Sequence, residues 1–150
     1  MTKKLFNSQY EIRLRMLLLL YVARQPLSAD KITTLDFISV YGKDFEIGGD
    51  NIHGSSPYRF AEITNRRAMV SEAIKTNVMD GMLNVDTSEG YSYSLTERGK
   101  SYVDAFTCSY VSKYCENAKK AMTKYGNLSE AVLMKKIQEH CYELVEGGTE

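Results

Sequence analysis

One stretch with a repeat of two interrupts a chain whose other apolar residues recur at spacings of three and four. In "MLNVDTSEGYSYSL", residues 82–95, apolar and polar side chains alternate on both sides of Ser88-Glu89-Gly90. Such alternation sends successive side chains to opposite faces of a strand, and a glycine-bearing turn between two alternating runs predicts a hairpin. Everything around it reads as helix. The chain is therefore expected to be mainly α with a small β-hairpin.

Three helices are predicted before the hairpin. The first runs from about Ser8 to Arg24, with Ser8 as N-cap, Glu11 three residues on as its capping-box partner and Pro26 beyond the end. Leu14, Leu17, Leu18, Tyr21 and Val22 form its expected inner stripe. A second helix spans about Ser28 to Tyr41, and Gly42 stops it. Residues 43–59 read as a long polar loop, a length that is uncommon in a small domain and often functional. The third helix runs from about Phe60 to Asp80, ends at Gly81, and turns Ile63, Val70, Ile74, Val78 and Met82 inward. Behind the hairpin, one long helix is predicted from Thr96 to Lys124 and a last one from about Leu128 to Leu144. The stripes of these last two suggest that they pack on each other, and "EGGTE" reads as a frayed tail.

Helix, helix, helix, hairpin, helix is the order of a winged-helix domain. The stretch "GYSYSLTERGKSYVDAF" resembles the Tyr-x-Leu-Thr-x-x-Gly turn that commonly joins the second wing strand to the next helix. Tyr93, Leu95, Thr96 and Gly99 hold those places: two residues facing the core, a cap, and a glycine that lets the helix pack closely. Residues 1–100 would form this core, and residues 101–150 a helical hairpin extending the same domain.

Bulk chemistry narrows the function. The chain has 150 residues, enough for one buried core, and nineteen basic side chains balance nineteen acidic ones. Zero net charge is a poor basis for tight, autonomous DNA binding, which depends on neutralising phosphates. Cys108, Cys115 and Cys141 make an odd count with no Cys-x-x-Cys knuckle. They read as small buried apolar residues in a reducing cytosol, with no metal site. The N-terminal "MLLLLYVA" after basic residues imitates a signal peptide, yet Glu11 interrupts the basic region and "RQPLS" offers no cleavage site. A buried core helix in a cytoplasmic protein fits better, and no membrane span is expected.

Catalytic motifs are missing. The sequence has no G-x-S-x-G, Walker loop, G-x-G-x-x-G or H-E-x-x-H. His53 with Ser55 or Ser56 is too local for nucleophile–base geometry, so no enzyme and no cofactor are expected. For DNA, Arg66, Arg67 and Lys75 lie on the third helix, where such folds carry a recognition helix. Against that reading, Glu62, Glu72 and Asp80 share the helix, and the wing brings Asp86 and Glu89.

Three further stretches carry a family resemblance. "FNSQYEIRLRMLLLL" resembles an N-S-P-L-E-x-G-x-R opening followed by leucines, with Gln9 in the place of Pro and Arg13 in the place of Gly. "LDFISVYGKD" resembles D-x-x-x-V-x-x-G-D with Asp44 shifted by one. "IHGSSPYRFAEITNRR" resembles L-H-P-x-x-P-x-R-x-x-E-x-x-x-R-R. In that order they resemble the middle component of ABC three-component systems, bacterial anti-phage cassettes that include the Lamassu type. The resemblance implies a non-catalytic adaptor beside an SMC- or Rad50-like ABC ATPase and an effector, often a nuclease, with DNA reached through the complex. It also implies that residues 50–67 are a docking segment. His53, Pro57 and Tyr58 would shape it, Glu62 would be a further partner contact within it, and Arg59, Arg66 and Arg67 would meet carboxylates or phosphate. Asn7, Ser8, Glu11 and Arg15 would be structural, with Glu11–Arg15 an i,i+4 pair. A winged-helix transcriptional regulator is the alternative.

Overall fold

The computed structural model describes residues 8–47, 51–52 and 62–148. Two apolar helices lie at the centre: α1 (Gln9–Ala23) and α2 (Ala29–Val40). Local chemistry sets their ends. Ser8 Oγ accepts the Glu11 N–H at 3.2 Å, and Ser28 Oγ accepts that of Lys31 at 3.2 Å. Arg24 ends α1 in the left-handed region (φ 57°), its N–H returning to the Leu20 carbonyl at 3.2 Å.

Neither central helix is one-sided. In α1, Leu14 and Met16 to Leu20 are all buried together with Glu11, Ile12 and Arg15, whereas Tyr21 of the expected stripe is exposed. In α2 every residue from Ile32 to Val40 is buried. A helix that is apolar around its whole circumference belongs in the middle of a domain, and neighbours on several sides enclose these two. The hydroxyls on α2 turn back to their own helix: Thr33 Oγ1 donates to the Ala29 carbonyl at 2.8 Å, and Ser39 Oγ to that of Leu35 at 2.7 Å.

The segment after α2 departs from the expected polar loop. Phe45 and Ile47 are buried in the core, and Ile47 N–H bonds back to the Gly42 carbonyl at 3.2 Å. Gly42 serves close packing more than helix termination, since a Cβ there would stand 2.8 Å from Asn117 Nδ2.

Helix α3 (Glu62–Met79) lies against α1 and α2 and ends near Gly81 at φ 79°. Antiparallel strands β1 (Leu83–Asp86) and β2 (Ser92–Leu95) follow in the register Leu83↔Leu95, Asn84↔Ser94, Val85↔Tyr93 and Asp86↔Ser92. Leu27, between α1 and α2, exchanges backbone hydrogen bonds with Tyr93 at 3.0 and 2.9 Å, so β2 is flanked on both sides. Tyr93 and Leu95 are half-buried against the core, as the alternation predicts. Thr96 Oγ1 caps the next helix by accepting the Gly99 N–H at 3.0 Å. Gly99 has to be a glycine here, because a Cβ would lie 2.4 Å from the Met82 carbonyl oxygen.

The expected long fourth helix is two helices, α4 (Glu97–Asp104) and α5 (Ser109–Tyr125). The break lets α4 rest on α1 and the hairpin while α5 crosses α1 and α2. There Tyr114 meets Asp36, and Asn117 Nδ2 donates to the Ser39 carbonyl at 2.9 Å. Helix α6 (Glu130–Gly148) covers the supposed frayed tail as far as Gly148. It buries Leu133 and Ile137 and packs chiefly on α2 rather than pairing with α5. None of these helices is long and apolar enough to cross a membrane.

Candidate functional site

Three of the stretches singled out in the sequence meet inside the molecule, around Asp36. Its carboxylate is fully enclosed. Arg15 grips it with both arms of its guanidinium fork, Nε to Oδ1 at 2.9 Å and Nη2 to Oδ2 at 3.2 Å. Arg66 Nη1 adds a contact to Oδ2 at 2.8 Å, and Tyr114 OH donates to Oδ1 at 2.7 Å. Glu11 stands on the far side of Arg15, with Oε2 3.5 Å from Nη1. Two arginines and two carboxylates make the cluster neutral.

Burial alone would drive the Asp36 carboxyl to bind its proton. The fields of Arg15 and Arg66, with the donated hydrogen bonds, reverse that and hold it down to about 2. Arg15 shows the same contest: burial opposes its charge, Asp36 restores it, and the guanidinium stays charged. Burial and then the Asp36 charge push the Tyr114 hydroxyl well up, so it is a permanent donor. The arrangement ties α1, α2, α3 and α5 together by charge-assisted hydrogen bonds.

Arg66 is thereby corrected. The resemblance sets it in a docking segment and the fold analogy sets it against DNA, yet it is 3% exposed, bonded to Asp36, and its guanidinium carbon lies 5.4 Å from the Phe37 ring centroid. Only Arg67 of the pair faces solvent, bridging to Asp30 with Nε–Oδ1 at 2.8 Å. Lys75 is exposed, 3.9 Å from Glu72. Asn7, His53, Pro57, Tyr58 and Arg59 lie outside the described residues, and of Glu62 only its place at the head of α3 is described. Ser8 caps α1, Glu11 stands beside Arg15, Tyr93 and Leu95 are half-buried, Thr96 caps α4 and Gly99 packs on Met82, while Arg15 reaches well beyond its i,i+4 partner to Asp36. The cysteines depart from the expected buried set: Cys108 precedes α5 and is exposed, and Cys115 is half-buried. Among the described residues, no group of three or more His, Cys, Asp or Glu could hold a metal ion.

Sequence reasoning missed two features. The role of Asp36 was one; its signal was a single acid within the apolar and hydroxyl-bearing run from Ile32 to Val40, where a charge demands a partner. The other is a groove of about 560 Å³ between α3 and the hairpin, lined among others by Ile74, Val78, Met79, Val85, Tyr91 and Tyr93. Met79, Val85 and Tyr91 are 79%, 46% and 68% exposed, three of the six large apolar side chains that stand exposed among the described residues. Their clustering in one place marks an uncovered apolar surface.

Fold and cluster define a small, mainly helical domain with one hairpin among the described residues. The chain belongs to the ABC-three component (ABC-3C) system Middle Component 2 family, whose model matches residues 5–146. Comparison with curated proteins and with solved structures finds no match. As a middle component it is one part of a multi-component defence system.

Proposed function

We propose that this chain is a non-catalytic, cytoplasmic adaptor on a winged-helix scaffold, joining an SMC- or Rad50-like ABC ATPase to an effector such as a nuclease in a Lamassu-type anti-phage complex. The observation that carries the reading is the surface between α3 and the hairpin. A DNA-reading domain needs a cluster of cations there; this groove is mainly apolar, and Lys75, the one cation among the residues that line it, stands 3.9 Å from Glu72. From Gly81 to Glu97 the sequence has Asp86, Glu89 and Glu97 with no lysine or arginine. Arg66, the central cation of α3, is spent inside the domain. The Leu27–Tyr93 bridge supports the winged-helix assignment, because it adds a third short strand position beside the hairpin.

Arg67 and Lys75 keep a second reading in play, a DNA-binding regulator, because both face solvent on α3. Tagged chain purified from cells that also express the neighbouring genes separates the two. Recovery in a large assembly with an ATPase supports the adaptor. A lone dimer that shifts DNA with steep salt dependence overturns it.

A further inference from the structure

We infer that the outer edge of β1, with the apolar groove beside it, takes up an extended segment of a partner protein bearing apolar and basic residues, by strand addition. This deepens the adaptor reading and rests on it.

The backbone register identifies the free edge. Tyr93 spends its N–H and C=O on Leu27, on the side of β2 away from β1. Its opposite number Val85 is therefore the non-hydrogen-bonded member of the ladder, and Asn84 and Asp86 make the bonds to Ser94 and Ser92. Thr96 N–H bonding the Met82 carbonyl at 3.0 Å continues the same alternation. The Val85 N–H and C=O thus point outward, and no described residue pairs with that edge. An edge with open backbone groups is a template for another strand.

Side chains set the occupant. Val85 stands across from Tyr93, and Met79 and Tyr91 extend the same apolar surface, so alternate residues of an added strand would find apolar contacts. Charge sets the rest. Asp86 and Glu89 flank the edge with no cation on the hairpin, and the Ser88 N–H at 2.9 Å from Asp86 Oδ1 helps keep that carboxylate ionised. A lysine or arginine on the incoming segment complements them, whereas a nucleic acid would be repelled.

The test uses the complex purified from cells expressing the chain with its neighbouring genes. In hydrogen exchange, the Val85 amide should exchange at least about tenfold more slowly in the complex than in the isolated chain. Val85→Pro removes the outward N–H while leaving the β1–β2 bonds intact, a position where an edge strand tolerates proline. It should lower partner recovery at least about tenfold, and Val85→Thr should not. Glu89→Lys with Asp86→Asn, which keeps an acceptor for the Ser88 N–H, should do the same by removing the acidic charge. A complex that forms normally with an unprotected Val85 amide, or with the proline and charge variants, overturns the inference and leaves the adaptor standing. A wild-type chain that recovers no other component overturns both.

Discussion

The Asp36 cluster and the α3–hairpin groove are opposite solutions to where polar and apolar groups go. At the cluster, four charged side chains sit in the interior, and each described charge is matched by another. At the groove, large apolar side chains stand in solvent, with Lys75 on one wall and Asp86 and Glu89 on the adjoining hairpin. The first region is finished: taking Asp36 away leaves two buried guanidiniums without the carboxylate they share. The second is unfinished within this chain, and its free backbone edge and apolar surface are what a second protein would complete. Residue type alone misassigns both. An arginine reads as a contact to something outside and a tyrosine or methionine as core, and here the roles are exchanged.

The largest effect is expected at the cluster. Asp36→Ala strands Arg15 and Arg66 in the interior and should cost about 3–5 kcal/mol, read as loss of cooperative thermal unfolding. A variant that melts like the wild type would show that the arginines escape to solvent. Acid should act on the same site. The Asp36 carboxyl has its pKa lowered in the fold, from 3.8 to about 2, so the stability it contributes is present above about pH 4 and is lost as pH falls through about 2. That contribution is about 2 kcal/mol, and the Asp36 carboxyl carbon resonance should hold its ionised position down to about pH 3. A midpoint at the ordinary carboxylate pH would break the contrast between the regions.

Smaller changes sharpen it. Tyr114→Phe removes one hydrogen bond to Asp36 and should cost about 1 kcal/mol in urea unfolding, the two arginines still holding the carboxylate. At the other region, Met79→Ser with Tyr91→Ser should change the stability of the isolated chain by less than about 0.5 kcal/mol. The same double variant should cut recovery of partner components. A large loss of stability would instead show that the groove is part of the core.

Legibility followed range along the chain. Ser8 and Thr96 as caps, the hairpin and its turn, the stop at Gly81 and the close-packed Gly99 were all readable, because each depends on residues within a few positions of one another. The break between α4 and α5 was not. The apolar repeat runs straight through it, and the two pieces take different neighbours, α4 resting on α1 and β2 and α5 on α1 and α2. Phe45 and Ile47 were hidden by polar neighbours in a segment that composition marks as loop. The family itself was legible from three short motifs, and the match over residues 5–146 bears it out.

Local sequence was thus enough to set the caps at Ser8 and Thr96, the hairpin and the Glu11–Arg15 spacing, since hydrogen-bond rings and turns close over three or four residues. Where Arg66 goes, and that Val85 keeps an open edge, depended on which helices and strands came to lie beside them. Asp36 is 30 residues from Arg66 and 78 from Tyr114. A charge is buried or exposed according to the partners that arrive across such distances, and that is decided only by tertiary packing.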